Sequence, residues 1–170
     1  MTKLRSLGTG NNIYSRSILV LSLLLIVTRL DAQTPVNFSG VWTLDNAKSD
    51  ASYKEYRVTC TVKQTADSIT IGEIFLAKNG EKTTMPEYTY TFDGKETSKE
   101  EQGGIDRKSA RWSSDKKVLT AKNTRTVGAN IYGSYTTYKL SDDGRVLTVQ
   151  TTDIDPSKKT SLIEVFNRKE

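Results

Sequence analysis

From about residue 40 onward, apolar and polar residues alternate along short segments of strand length. Tyr88, Tyr90 and Phe92 fall on one face of such a segment, and threonines occupy the positions between them. Alternation with a period of two is typical of β-strands that bury one face. The pattern predicts about ten strands, of which the first covers 41–44 and the last covers 160–167.

Residues that favour tight turns separate these segments, among them Asn79-Gly80, Asp93-Gly94 and Asp143-Gly144. Asn-Gly and Asp-Gly tolerate the positive φ values of tight hairpins, so neighbouring segments are expected to pair antiparallel in sequence order. Only 46–53 has the pattern of a helical turn. A meander of this size closes into a barrel or splits into a sandwich, and closure removes exposed sheet edges. We therefore predict an all-β fold, an antiparallel up-and-down β-barrel of about 8–10 strands, with the sandwich as the alternative.

The first part of the chain has the pattern of a secretory signal peptide. Lys3, Arg5 and Arg16 precede an almost wholly apolar run at 18–27, which ends shortly before Ala32. A helix of that length covers roughly 15 Å, about half of a bilayer core, so a membrane anchor is the weaker alternative. The sequence predicts a signal peptide over 1–32 with cleavage near Ala32, a single domain over 34–170, and a secreted or periplasmic protein with no integral membrane span after signal removal.

The basic character of the chain changes once this segment is set aside. The whole sequence has a net charge of +5, but the segment carries four basic residues and one acidic residue, which leaves 21 basic and 19 acidic side chains. A balance this close to neutral does not favour binding to polyanions. Nucleic acid is therefore not expected as a partner.

The sequence contains no histidine, and Cys60 is the single cysteine. Histidine-based hydrolytic triads are excluded, and zinc would lack its commonest ligand, so we expect no metal site, no cofactor and no enzymatic activity. A hydrolase that uses two carboxylates stays as a minor alternative. Cys60 alternates with Val58 and Val62, which predicts a buried, unreactive thiol.

The segment Asn37-Phe38-Ser39-Gly40-Val41-Trp42-Thr43-Leu44 resembles the first-strand Gly-x-Trp signature of lipocalins and fatty-acid-binding proteins. With Tyr90-Thr91-Phe92-Asp93-Gly94-Lys95 and Val165-Phe166-Asn167-Arg168, it resembles a bacterial group of secreted lipocalin-like (calycin-type) domain proteins. The resemblance implies a barrel with a cavity for a small, largely apolar molecule, or a barrel that side chains fill.

Three residues of these motifs are expected to have structural roles. Gly40 permits a close backbone approach, Trp42 can plug one barrel end, and Arg168 can lie over its indole. The sequence also departs from fatty-acid-binding proteins. It lacks room for two helices between the first two strands, and 167–170 has no Arg-x-Tyr pair, so their ligand does not carry over with the fold.

Inward-facing polar and aromatic residues are the candidates for a ligand site. If Leu119 and Ala121 face the interior, Asn123 and Arg125 do so as well, and a buried arginine needs a partner, either Glu164 or an anion of the ligand. The predicted ligand-binding residues are Tyr88, Tyr90, Trp112, Asn123, Arg125 and Tyr138.

Two functions are compatible with this pattern. The first is an exported lipocalin-like module that binds a small, largely apolar molecule in the barrel. The alternative is a non-enzymatic interaction or structural protein with a filled barrel, which meets another protein that the sequence does not identify. A cavity above roughly 300 Å³ with convergent polar groups would favour the first.

Overall fold

The computed structural model describes residues 34–154 and 160–170. The predicted signal peptide lies outside the described residues. Within them the chain forms eleven strands and one short 3-10 helix at Ala51–Tyr53, inside the segment that the sequence marks as a helical turn. The strands are β1 (Gly40–Leu44), β2 (Tyr56–Gln64), β3 (Ser68–Ala77), β4 (Lys82–Thr84), β5 (Tyr88–Thr91), β6 (Thr97–Glu101), β7 (Gly104–Trp112), β8 (Val118–Val127), β9 (Asn130–Leu140), β10 (Val146–Ile154) and β11 (Ser161–Arg168).

The strands form one antiparallel sheet in up-and-down order. The sheet order is β4-β3-β2-β1-β11-β10-β9-β8-β7-β6, so the first strand, β1, pairs with both β2 and the last strand, β11. This arrangement confirms the predicted all-β, antiparallel up-and-down fold.

β4 and β5 occupy one position in the sheet, because both pair with the edge of β3 that β2 leaves free. Thr84 pairs with Ile74, whereas Tyr88 pairs with Ile71, so the intervening residues shift the register by one. Pro86 lies in this interruption, and its lack of a backbone N–H makes it a poor member of a continuous ladder. Counted this way the sheet has ten strand positions, as the sequence predicts.

Side chains close the interior where β5 lies beside β7 and β8. The ring centroids of Phe92 and Trp112 lie 5.3 Å apart, and the Asn123 side-chain amide donates a 3.1 Å hydrogen bond to the Tyr90 hydroxyl. Tyr90 is 6 % exposed, which places the predicted inward face of β5 inside the molecule.

The interior has a packed end and an open end. At the packed end the segment before β1 crosses the sheet, where the Val36 amide donates to the Lys116 carbonyl and the Phe38 amide donates to the Gln64 side chain. The 3-10 helix and the β6–β7 and β8–β9 turns lie at the other end. The largest fully buried side chains are Trp42, Phe38, Phe166, Ile69, Leu119, Leu147, Val58 and Cys60. The described residues include no helix of the length and apolarity that crossing a bilayer requires.

Candidate ligand site

Gly40, Trp42 and Arg168 meet at the packed end. The Arg168 guanidinium lies 4.3 Å from the centre of the Trp42 ring and donates hydrogen bonds to the carbonyl oxygens of Ser39 and Gly144. Gly40 has a φ of +147°, and a Cβ there would lie 2.9 Å from Arg168 Nη1. The Trp42 indole N–H donates to the Phe38 carbonyl at 3.0 Å. This cluster closes the packed end with the indole fully buried.

The rings of Phe38, Trp112 and Tyr138 pack together next to the cluster of Gly40, Trp42 and Arg168, and we call these three rings the aromatic floor of the interior. Phe38 stacks on Trp112 with the ring centroids 5.6 Å apart, and it contacts Tyr138 edge-on at 6.4 Å. The Trp112 indole N–H is buried and has no hydrogen-bond partner among the described residues. Of the predicted ligand-binding residues, the structure therefore places Trp112 and Tyr138 in or beside the packed floor.

A cavity of about 310 Å³ lies towards the open end, where β5 faces β7, β8 and β9. It contains three of the predicted ligand-binding residues, Tyr88, Asn123 and Arg125, and Tyr90 joins it through its hydrogen bond to Asn123. The cavity is at the lower end of the size range for small-molecule sites. Its lining residues are Tyr88, Asp106, Lys108, Asn123, Thr124, Arg125, Tyr132 and Gly133.

The Arg125 side chain is engaged by the β6–β7 hairpin. Its guanidinium lies 3.0 Å from the Asp106 carboxylate and donates to the carbonyl oxygens of Glu101 at 2.7 Å and Gln102 at 3.3 Å. The expectation that Glu164 pairs with Arg125 is wrong. Asp106 faces Arg125 directly in the β7–β8 register, so it reaches the guanidinium without any rearrangement of the backbone. These contacts tie the β6–β7 hairpin to β8 at the mouth of the cavity.

Lys108 is the other cationic group of the cavity. Its ammonium lies 5.1 Å from the centre of the Tyr88 ring, a cation–π geometry. Within residues 34–154 and 160–170, no carboxylate oxygen lies within ion-pair distance of this ammonium. The cavity mouth therefore carries one positive charge that the Asp106–Arg125 pair does not balance.

Gly133 lets the walls of the cavity come together. Its φ is +145°, and an added Cβ would collide with the carbonyl oxygen of Asn123 on the neighbouring strand. Only glycine fits a position with both a positive φ and so close a backbone approach.

A polar layer lies in the interior between the floor and the open end. Glu73 faces inward opposite Cys60, and Glu164, which is 7 % exposed, faces inward opposite Val149. Burial, and then the negative charge of Glu73, raise the pKa of Glu164 to about 7, while hydrogen bonding from the Tyr53 hydroxyl acts in the opposite direction. Burial also raises the pKa of Glu73. Burial therefore disfavours the charged form of both acids.

Cys60 and Tyr90 lie in the same part of the interior. Cys60 is 1 % exposed, and burial raises the pKa of its thiol well above the ordinary value, which confirms the prediction of a buried cysteine. Burial raises the pKa of Tyr90 to about 12. Both groups stay neutral near pH 7, so the group of this layer that titrates near neutral pH is Glu164.

Sequence reasoning did not single out Glu73, Lys108 or Asp106, and it did not include Tyr132 among the ligand-binding residues. Lys108 and Asp106 share the parity of Ala110 and Trp112 on β7, so the alternation itself could have placed them inside. Glu73 interrupts the inward series Ile69, Ile71 and Phe75, and an acidic residue at such a position is a signal.

No family model matches the chain, and no curated protein matches it. Solved structures with similar chain paths include a fatty acid transporter, REP1-NXSQ, at 12 % identity and a TM-score of 0.49, which covers 78 % of this chain and 96 % of its own. A secretary abundant heat soluble (SAHS) protein from Ramazzottius varieornatus has 8 % identity, a TM-score of 0.48 and coverages of 81 % and 98 %. Zebrafish ileal bile acid-binding protein, complexed with cholic acid, has 15 % identity, a TM-score of 0.46 and coverages of 78 % and 98 %. The fold assignment for this chain stands on its own strand order and register.

Proposed function

We propose that this protein is an exported lipocalin-like module that binds a small, largely apolar molecule inside the barrel. The observation that carries the proposal is the cavity of about 310 Å³ between β5 and β7–β9. It opens at one end of a barrel whose other end is closed by aromatic packing, so a ligand has one route of entry and a solid floor.

The lining of the cavity suits a ligand with a large apolar part. The Tyr88 and Tyr132 rings offer flat apolar surface, and the side chains of Asn123 and Lys108 supply polar groups at fixed positions. Sites of this type gain most of their affinity from buried apolar area and most of their selectivity from a few polar contacts. The volume limits the ligand to a small molecule.

The alternative hypothesis, a barrel that side chains fill, describes only one end of the interior. Aromatic side chains fill the end that contains Trp42 and Phe38, whereas the opposite end keeps its cavity. Because polar groups converge on a cavity of about 310 Å³, the small-molecule function is preferred.

Export is part of the proposal and is supported by the sequence of the first 32 residues, in which basic residues precede a short apolar run. A non-enzymatic role is supported by the absence of histidine from the chain. In this account the protein captures or carries its ligand and does not transform it.

Native mass spectrometry of the protein purified from its own exported compartment tests the proposal. We expect a stoichiometric adduct that denaturing extraction releases as a small, mainly apolar compound. A clean ligand-free mass from freshly prepared protein would contradict the proposal and favour a protein partner.

Two variants of adjacent residues locate the adduct. Asn123→Phe places a ring in the cavity, whereas Lys122→Phe places the same ring on the opposite face of β8. We expect Asn123→Phe to lose the adduct and Lys122→Phe to keep it, with circular dichroism to show that both variants fold. An adduct that survives in folded Asn123→Phe protein would place the ligand elsewhere.

A further inference from the structure

The turn between β8 and β9 is exposed and carries no charge. It reads Val127-Gly128-Ala129-Asn130-Ile131-Tyr132, and all six residues are exposed, with half of the Ile131 surface in contact with solvent. Turns elsewhere in the sheet, such as 78–81 and 141–145, contain charged residues. Exposed turns are ordinarily polar, so a run of six exposed residues that includes valine, isoleucine and tyrosine marks a contact surface.

The neighbouring strand extends this apolar surface. Ile105 on β7 pairs with Thr126 on β8, which pairs with Ile131 on β9, so the two isoleucines lie in one row across the outer face of the sheet. Ile105 is exposed as well. We call this row and the turn at 127–132 the apolar tip. Because hairpin ends form it, the apolar tip projects from the open end of the barrel and does not line a groove.

Basic side chains lie on the outer face behind the apolar tip. The Arg107 guanidinium donates a 3.0 Å hydrogen bond to the hydroxyl of Thr126, which belongs to the isoleucine row. Arg107 itself is two residues from Ile105, about 7 Å along the strand. The outward-facing residues of β7–β9 include no acidic residue and four basic ones, Arg107, Arg111, Lys122 and Lys139.

Two acids lie near these basic residues. The Glu96 carboxylate is 3.4 Å from the Arg107 side chain and 3.8 Å from the Lys122 ammonium, so two cations share it. Glu100 is exposed on β6, where it pairs with Ile105. Against the four basic residues, these two acids leave a net charge of +2 on this face. The chain after residue 32 is nearly neutral as a whole, so positive charge is concentrated behind the apolar tip.

We propose that the apolar tip docks on the surface of a bilayer that contains anionic lipids, with its isoleucines at the acyl boundary and the basic side chains among the head groups. Surfaces that bind in this way bury apolar side chains about 5–10 Å deep and place basic residues behind them. The spacing of about 7 Å between Ile105 and Arg107 matches a head-group layer about 5–8 Å thick. Tyr135, exposed opposite Lys122, has the amphipathic ring that is typical of a bilayer interface.

A bilayer suits this surface better than a protein partner does. The apolar tip is small and projecting, whereas a stable protein interface buries roughly 800 Å² on each partner. Fluid lipid adapts to a few projecting side chains without needing a matching shape. Tyr132 belongs both to the apolar tip and to the cavity lining, so docking places the cavity mouth beside the membrane. The inference goes beyond the proposed function and does not depend on what the cavity binds.

Cosedimentation with large unilamellar vesicles tests the inference. We expect the partition coefficient to be at least about tenfold higher for vesicles of phosphatidylcholine and phosphatidylglycerol than for vesicles of phosphatidylcholine alone. We also expect added salt to weaken binding to the anionic vesicles, because it screens the basic side chains. All variants carry the same N-terminal sequence, so the segment 1–32 cannot account for a difference between them. A wild-type protein that binds neither vesicle would overturn the inference.

Two matched pairs of variants locate the contact. Ile131→Ser is expected to lower the partition coefficient at least about fivefold, whereas Ile163→Ser, which changes an exposed isoleucine on the outer face of β11, is expected to leave it unchanged. Arg107→Gln is expected to lower binding to the anionic vesicles about fivefold, whereas Arg145→Gln, in the exposed turn at the packed end, is expected to keep it. Circular dichroism shows that the variants fold.

The acid beside the apolar tip supplies a test in the opposite direction. Glu100→Gln removes a negative charge from the isoleucine row and is expected to strengthen binding to the anionic vesicles about threefold or more. If it weakens binding, or if folded Ile131→Ser binds as the wild type does, the apolar tip is not the contact. If the wild type forms a dimer that Ile131→Ser dissociates, the apolar tip is an interface between two copies and the inference is wrong.

Discussion

The buried acid Glu164 makes a specific prediction about stability and pH. In the unfolded chain this carboxyl titrates near its ordinary pKa of 4.5, and in the folded barrel its pKa is about 7. Between these values the folded state holds a proton that the unfolded state has released. The stabilisation from this group is therefore complete below pH 4.5 and is lost as the pH rises through 7.

The size of the effect follows from the difference between the folded and unfolded pKa values. Each tenfold difference between the two acid dissociation constants corresponds to about 1.4 kcal/mol, so the protein is expected to lose on the order of 3 kcal/mol between pH 4.5 and pH 8. Glu73 acts in the same direction, because burial raises its pKa as well. Five acids have lowered pKa values and act below this pH range: the half-buried Asp45 and the exposed Asp93, Glu101, Asp115 and Asp143.

Urea unfolding at pH 5 and pH 8, followed by tryptophan fluorescence at constant ionic strength, measures the loss. Most of it falls between these two pH values, so the wild-type free energy of unfolding should be lower at pH 8 by about 2–3 kcal/mol, and Glu164→Gln should remove most of that difference. Glu81→Gln, which changes an exposed acid, should keep it. A Glu164→Gln protein with the full wild-type dependence on pH, or a wild type that is more stable at pH 8, would refute the reasoning.

Three further predictions concern the packed end and the core. Gly40→Ala should destabilise the protein by about 1–2 kcal/mol, since the new methyl group meets the Arg168 guanidinium at a positive φ; thermal unfolding would measure this, and an unchanged midpoint would contradict it. Phe166→Ala should cost about 3–5 kcal/mol in urea unfolding, because the ring is fully buried; a cost under about 1 kcal/mol would show that the core is not packed as described. Cys60 should not react with a thiol reagent until the protein unfolds, and rapid labelling of the native protein would contradict its burial.

The fold could be predicted from sequence because its main determinants are local. Alternation fixes which side chains face inward, as for Tyr90 on β5 and Leu119 on β8, and the Asp-Gly and Asn-Gly turns set the order of the hairpins. The break between β4 and β5 was not predicted, although Pro86 marks it. A proline in a strand pattern indicates an interruption without saying which residues pair on either side.

The candidate site was predicted only in part, because its contacts depend on register between strands. Parity puts Asn123 and Arg125 on the inner face of β8, but it could not show that Asp106 stands opposite Arg125. Glu73 and Glu164 are far apart in the sequence, and the pairing of β1 with β11 brings their strands into one sheet. Alternation along a strand identifies the residues of the inner face, whereas the contacts between those residues depend on how the strands pair and pack.

The location of a bound ligand tests the central claim most directly. Backbone amide chemical shifts of isotope-labelled protein, recorded by nuclear magnetic resonance while 1-octanol is added, report that location residue by residue. The account predicts saturable shifts at Tyr88, Asn123 and Tyr132, with little change at the outward-facing Arg57 and Lys122. Shifts confined to the outer face, or no saturable shift, would contradict a ligand site inside the barrel.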